Sequence, residues 1–415
     1  MPKQKHIAIV VYYWPPTGGS GVQRWLFFTK AWASAGVRIS VFVPKQPRVA
    51  EQDDSLALKS HKNITVIPVS GWEPIRKNKS AIAENMLNKK GGRVGLKRWI
   101  RANLFIPDAR IFWTKAVTKS VLALDKKDPF DVLITSGPPH SLHLVGLNTN
   151  RRLQAKWVAD FRDPWVGFFQ NASLPMGNRA KSKHRELERK VIATANYVVV
   201  TSPSLAKDFR KYNKHVSVLT NGYEKVLEKP TKTSLGLVYA GSLKAQQNPH
   251  ELWTAISELV QEHSAFAQNF RLDVYGSVAL FIQDEIKTFG IAEYVNCHGY
   301  QPKEMIDTIL PQANALLLLG VDMPNTENII HAKLFEYMAA SRPILGVGPK
   351  PSDMEGLFGT HKLGVYAHFT EKKRIKETLL SWFTKEKINF ATTGTEVYER
   401  ARIAADYLRL IEQLG

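Results

Sequence analysis

The feature that most constrains this chain is an alternation that runs, stops and begins again. Short β-rich apolar runs end in glycine, proline or small polar residues, and each is followed by apolar residues at helical spacing. Ile7 to Tyr13 is the first run. It ends in WPPTGGSG (Trp14 to Gly21), a helix is expected from about Val22 to Ala35, Gly36 stops it, and Arg38 to Val43 is the next strand. Strand, glycine loop, helix, strand is how a doubly wound parallel sheet opens. Asp131 to Ser136, Lys156 to Asp160, Ala195 to Thr201 and Val216 to Thr220 continue as strands, with a helix from about Ser204 to Tyr212. Residues 227–234 are polar, proline-containing and non-periodic, and read as a linker. Beyond them the pattern restarts with strands at Leu235 to Ala240, Arg271 to Gly276, Tyr294 to His298, Ala315 to Leu319 and Ile344 to Val347. The expectation is α/β, with two doubly wound Rossmann-like domains at 1–226 and 235–395 and a long amphipathic helix closing the chain at 396–415.

Composition sets the limits. At 415 residues with 44% hydrophobic content the chain is globular and exceeds one comfortable core. Its longest apolar runs, Ala315 to Gly320 and Ile344 to Val347, are far too short to span a bilayer. The N-terminus leads straight into a strand-like run without a small-residue cleavage site, unlike a signal peptide. A single cysteine, Cys297, excludes an internal disulfide and a cysteine-based zinc site. It fits the reducing cytosol, so a cytoplasmic place is expected, and the sequons at Asn63 and Asn171 then carry no meaning.

Charge is unevenly spread. Residues 1–225 hold 38 Lys and Arg against 15 Asp and Glu, and the rest hold 19 against 22. One half is therefore expected to meet an anionic surface or ligand. The stretch 76–101 carries nine basic residues and one acid, interleaved with Ile82, Met86, Leu87, Leu96, Trp99 and Ile100. Such a segment suits anionic lipid on the inner face of a membrane. A solvated loop and helix suits it as well, and nucleic acid ranks lower because no recognised nucleic-acid module accompanies the charge.

Three turns at strand ends carry chemistry. Gly18, Gly19 and Gly21 follow the first strand and would let backbone approach a ligand, although a simple tight turn needs the same residues. His140, in SGPPHS, sits at a strand's carboxyl end, where open α/β sheets place ligands. DFRDPW, Asp160 to Trp165, brings two carboxylates and a guanidinium to one sheet edge, as an internal ion pair bracing the loop also would. In Asn325 to Gly348, NTENIIHAKLFEYMAASRPILGVG, a helix bearing Lys333 and Glu336 precedes a buried strand. A phosphate at such a helix N-terminus meets free N–H groups and the positive dipole end, and Glu336 would reach an attached ribose.

The ordered set WPPTGGSG, SGPPHS, DFRDPW, TNGY, YAGSLKAQQNP, HGYQP and KLFEYMAASRP resembles the retaining GT-B glycosyltransferases of the large family known as GT4. The family's mark is two glutamates separated by seven residues. Glu336 matches the second; Asn328 occupies the place of the first, with Glu327 one position off. The resemblance implies a GT-B fold with a central cleft and a last helix that crosses back to the first domain. It implies a nucleotide-diphosphate sugar as donor, no bound metal and no cofactor. The donor would meet Gly18, Gly19, Gly21, Gly241, Ser242, Lys244, Gly299, Tyr300, Ile329, Ile330, His331, Lys333 and Glu336. Ser242 and Gln247 stand where arginine and lysine are frequent, which leaves Lys244 and Lys333 as phosphate cations, helped by Arg24. The acceptor, a glycan or lipid-pyrophosphate-linked sugar, would meet Arg24, His140, Arg162, Asp163 and Trp165. His140, Asn328 and Glu336 are the catalytic candidates. A sugar epimerase of the same architecture would need paired carboxylates, and no obvious pair is present. The alternative from another class is an inactive GT-B module that binds membrane or nucleic acid through its basic half.

Overall fold

The computed structural model describes residues 4–17, 20–47, 61–72, 95–168, 174–228, 230, 235–384, 388 and 390–414. The chain divides into two compact units, residues 1–220 with 400–415, and residues 221–399. Unit 1 contains strands β1 (His6–Val10), β2 (Arg38–Pro44), β3 (Ile64–Val69), β4 (Val132–Gly137), β5 (Lys156–Phe161), β6 (Tyr197–Val200) and β7 (Val216–Val218). Its helices are α1 (Ser20–Ser34), α2 (Leu96–Leu104), α3 (Ile111–Asp125), α4 (His143–Thr149), α5 (Asn178–Thr194) and α6 (Pro203–Phe209). The strands pair in parallel in the order β3-β2-β1-β4-β5-β6-β7, so the winding reverses between β1 and β4. β1 is apolar without alternation because both faces are covered. Ile7 and Ile9 pack with Trp25, Phe28 and Trp32, whereas Ala8 and Val10 join the core around Trp113 and Leu142.

Unit 2 repeats the scheme. Its strands are β8 (Leu235–Ala240), β9 (Leu272–Tyr275), β10 (Val295–Gly299), β11 (Ala313–Leu319), β12 (Ile344–Gly348) and β13 (Gly364–His368). Its helices are α7 (His250–Glu262), α8 (Ser264–Asn269), α9 (Leu280–Thr288), α10 (Lys303–Ile309), α11 (Ala332–Ala340), α12 (Asp353–His361) and α13 (Lys372–Thr384). The parallel order β10-β9-β8-β11-β12-β13 reverses between β8 and β11. Leu237 and Tyr239 face one core, Val238 and Ala240 the other.

The last helix, α14 (Arg400–Glu412), belongs to unit 1. Its Tyr407 ring meets Trp32 edge-on at 5.4 Å and also packs on Trp25 and Phe28. Trp32 Nε1 donates to the Ala404 carbonyl at 2.8 Å. The helix begins at Arg400 rather than Glu396, because Thr395–Tyr398 is a separate 3-10 turn. The units also divide earlier than the sequence suggests. Tyr223 N donates to Tyr398 O at 3.0 Å and Leu227 N to Ala339 O at 2.9 Å, which ties this stretch to unit 2. Residues 229 and 231–234 of the expected linker lie outside the described residues. Among the described residues no helix is long and apolar enough to cross a membrane.

Candidate functional site

Ligands of doubly wound sheets bind beyond the strands' carboxyl ends, where the winding reverses. In unit 2 that point lies between the turn after β8 and the segment after β11. Gly241 leaves β8 at φ +139°, and Gly276 leaves β9 at φ +144°. Such angles are open to glycine and strained for other residues. The space a Cβ on Gly241 would fill is held by the Lys333 ammonium. Lys333 Nζ donates to the Tyr239 hydroxyl at 3.0 Å and sits 4.5 Å from the centre of that ring. The Tyr239 hydroxyl in turn donates to the Ser242 carbonyl at 3.1 Å. Burial pulls the Lys333 pKa down to about 8; the Glu336 carboxylate opposes the shift and Lys244 adds to it. One cation is thus held against bare backbone at the reversal point, with a carboxylate three residues along the same helix.

Helix α11 starts at Ala332, capped by the backbone of His331 with no side-chain bond. Ile329, Ile330 and His331, expected to offer the helix's free N–H groups, instead form the approach to it. Ile329 and Ile330 have buried side chains, and the Ile329 N–H already donates to the Thr326 carbonyl at 3.1 Å. His331 is kept neutral, its pKa lowered to about 4 by burial and then by Lys333. The first helical N–H groups belong to Ala332 and Lys333. Leu334, Tyr337 and Met338 anchor the buried face, and Glu336 sits half-buried beside it. Ser341, at φ +50°, ends the helix before Arg342-Pro343. Asn328 Oδ1 is buried and lacks a hydrogen-bonding partner among the described residues. Ser242 Oγ accepts from Ser277 Oγ at 3.0 Å, and Lys244 is exposed. Gly299 closes β10 at φ +69°, followed by a fully exposed Tyr300. Gly299 ends an edge strand two strands from β8, and Tyr300 follows it.

Unit 1 fills its own reversal point differently. Gly18 and Gly19 lie outside the described residues; Gly21 is in the first turn of α1, where a Cβ would collide with the Arg162 guanidinium. Arg162 donates to the carbonyls of Gly137 (3.3 Å) and Pro138 (2.7 Å). His140 stacks on Trp165 at 5.6 Å with a 6° tilt, and neither of its ring nitrogens is hydrogen-bonded among the described residues. Burial brings its pKa to about 3, with Arg162 adding to the fall and the Pro164 carbonyl opposing it. A ring this hard to protonate is a weak base near pH 7, and its two nitrogens, unbonded among the described residues, leave it able to hydrogen-bond a ligand. Burial raises Asp163 to about 6 against the pull of Arg162. The residue as a whole is half-buried, and its carboxylate makes no side-chain hydrogen bond among the described residues.

Two expected acceptor contacts are interior groups. Arg24 is 3% exposed. It donates to the carbonyls of Thr220 and Leu219, the latter at 2.9 Å, and lies 3.6 Å from the Asp160 carboxylate. It is a brace inside unit 1, not a surface cation. Trp165 is equally buried, its Nε1 donating to His184 Nδ1 at 3.0 Å. Asp160 accepts from Ser136 Oγ at 2.8 Å and Tyr407 Oη at 3.3 Å. The internal ion pair of DFRDPW is therefore made with Arg24, far away in sequence. Tyr239 was not legible as a site residue, since in LGLVYA it reads only as one more strand position; its partner Lys333 is 94 residues on.

Two doubly wound parallel sheets in one chain define the class: this is the GT-B fold. No family model and no curated protein matches the sequence. Solved structures with this fold align over almost the whole chain. Sucrose-phosphate synthase from Thermosynechococcus elongatus matches with a TM-score of 0.66 at 14% identity, covering 99% of both chains. A glycosyltransferase from Rickettsia africae gives 0.61 at 10%, again over 99% of both. WaaG, a glycosyltransferase involved in lipopolysaccharide biosynthesis, gives 0.58 at 14% over 99% of both. At these identities the likeness is one of fold.

Proposed function

We propose that this chain is a retaining glycosyltransferase that moves a sugar from a nucleotide-diphosphate donor to a glycan or lipid-pyrophosphate-linked acceptor, in the synthesis of a cell-surface polysaccharide. The observation that carries the reading is the Lys333 ammonium held over Gly241 with Glu336 on the same helix. A diphosphate resting there would meet Lys333, the N–H groups of Ala332 and Lys333, and Lys244 from the turn. The attached ribose would reach Glu336. As the anomeric bond breaks, negative charge grows on the leaving phosphate, and fixed N–H donors with a poorly hydrated ammonium stabilise that charge more than they stabilise the ground state. The acceptor hydroxyl would attack on the face the nucleotide leaves. On the acceptor side, in unit 1, His140 and Asp163 keep unused hydrogen-bonding capacity. The protein would work in the cytoplasm, on the inner face of the membrane where such acceptors are built.

Glu336→Ala is expected to remove transferase activity and to reduce the melting-temperature shift caused by the preferred member of a UDP-, GDP- and dTDP-sugar panel. The unliganded melting temperature should hold. Unchanged turnover in this variant would place the donor elsewhere. Asn328 in place of a glutamate favours a second reading, a nucleotide-binding module without turnover; a panel shift with no product from any acceptor would support it.

A further inference from the structure

We infer that Asp108 is a positioning residue for His140: its carboxylate holds the turn that aims this ring. The inference rests on the proposed function for what His140 does to an acceptor, whereas the placement of the ring can be measured without it. His140 is 5% exposed, and neither of its ring nitrogens has a hydrogen-bonding partner among the described residues. Its neighbours are other rings. Trp165 stacks on it at 5.6 Å, Phe161 lies at 6.1 Å, and Phe168 stands nearly perpendicular at 6.2 Å. Such contacts set the plane of a ring but are weakly directional within that plane. The direction of the two nitrogens must therefore come from the backbone.

That backbone has few handles. Pro138 and Pro139 precede His140 and have no N–H. The single 3-10 turn His140–Leu142 receives no side-chain cap from Pro139. A first-turn N–H left unpaired in the interior costs free energy. Asp108, in the loop between α2 and α3, supplies the acceptor. Its Oδ2 accepts from Ser141 N at 2.9 Å and its Oδ1 from Ser141 Oγ at 2.8 Å, 33 residues along the chain. Ser141 is fully buried. Oδ1 also accepts from Arg110 N at 2.9 Å, which ties the carboxylate to its own loop. Arg162 holds the entry to the same turn through the carbonyls of Gly137 and Pro138. Charge-assisted bonds, the stronger kind, thus grip the backbone on both sides of His140.

A carboxylate suits this place and an amide does not. Three donors converge on two oxygens, and asparagine would turn one of those oxygens into a donor facing another donor in the interior. The platform under the ring does not depend on this charge. An indole N–H can only donate, so His184 Nδ1, which accepts from Trp165 at 3.0 Å, is the bare nitrogen of a neutral ring. Burial lowers the His184 pKa and Asp108 opposes the fall. Neutralising Asp108 favours the form that Trp165 needs, so it loosens the turn and spares the platform.

The ring current of Trp165 makes the nuclear magnetic resonance signals of His140 report its placement. The full chain labelled with nitrogen-15 in histidine gives those signals, and His140→Gln identifies them by their absence. Asp108→Asn should move them. Asn213→Ala, which breaks buried bonds to the Ile192 and Ala195 carbonyls elsewhere in unit 1, should lower the melting temperature and leave them in place. Ser141→Ala removes the hydroxyl bond alone and should move them less; it carries the test if Asp108→Asn does not fold. Signals that stay put in the folded Asp108 or Ser141 variant, or that move as far in Asn213→Ala, would overturn the inference. Turnover adds a second reading, with the preferred sugar nucleotide of the panel and a polyprenyl-diphosphate-linked monosaccharide as acceptor. Asp108→Asn should lower kcat by about tenfold or more at unchanged donor KM, with no further loss in the His140→Gln background. Losses that multiply in the double variant would also overturn it. A parent with no turnover counts against the transferase, and the signals of His140 still decide the role of Asp108.

Discussion

The two units share a winding but have different chemistry where it reverses. Unit 1 carries 40 Lys and Arg against 16 Asp and Glu, and unit 2 carries 17 against 21. By count, unit 1 ought to grip the anion. Yet the cations nearest its reversal point are already engaged: Arg24 by two carbonyls and Asp160, Arg162 by the carbonyls of Gly137 and Pro138. Among its uncommitted groups are the neutral His140 and the carboxyl of Asp163. Unit 2 is acidic overall, but it keeps one ammonium over a glycine, held by a neutral hydroxyl and the face of a ring. What separates the two units is the kind of partner each cation has, not their number: Arg24 is engaged by carbonyls and a carboxylate, Lys333 by one neutral hydroxyl and a ring face.

The largest expected effect breaks this contrast if it fails. Arg24→Met removes one partner of a buried pair and should destabilise unit 1 by about 3–5 kcal/mol, with nucleotide-sugar affinity unchanged below the lowered melting temperature. Chemical denaturation alongside titration of the donor measures both. A stable variant with weakened donor binding would mean that Arg24 serves phosphate after all.

A smaller effect sharpens the account of unit 1. A histidine whose folded pKa is depressed contributes stability above its unfolded value of 6.5 and loses it as pH falls toward the folded value. For His140 that window runs from 6.5 down to about 3. The parent should therefore lose on the order of 2 kcal/mol through this group between pH 7 and 5. His140→Gln lacks that loss, so its stability deficit at pH 7 should narrow at pH 5. A deficit constant with pH would show that burial does not lower the titration of this ring in the folded state.

The smallest effect concerns unit 2. Lys333, lowered to about 8, should hold a diphosphate well below that pH and release it progressively above. Tyr239→Phe removes the oxygen that accepts from the ammonium, at a cost of about 1 kcal/mol in donor affinity at pH 7. Because that bond favours the charged amine, the midpoint of the pH dependence should move down. An unmoved midpoint would separate Tyr239 from the function of Lys333.

The legible part of this protein was whatever local periodicity encodes. Unbroken apolar runs such as IAIVVYY and ALLLL announced buried parallel strands, and the restart at Leu235 announced a second sheet. Elements at the margins were harder to see. β3 contains Pro68, which fits only an edge strand, and β13 is a five-residue edge with a glycine start. At the site, the sequence supplied Glu336, Lys333 and the glycine turn, because helical spacing and strand ends are local facts.

What folding alone decided is which charges remain available. Arg24 and Lys333 look alike in sequence, each a basic residue in or near a first helical turn after a strand. One is enclosed by the carbonyls of Leu219 and Thr220 and by Asp160, whereas the other rests on Tyr239 above a glycine. Partners between about 94 and 196 residues apart are brought together by strand order. Periodicity fixes that strands and helices form; the packing of distant side chains fixes whether a charge is satisfied within the protein or left for a ligand.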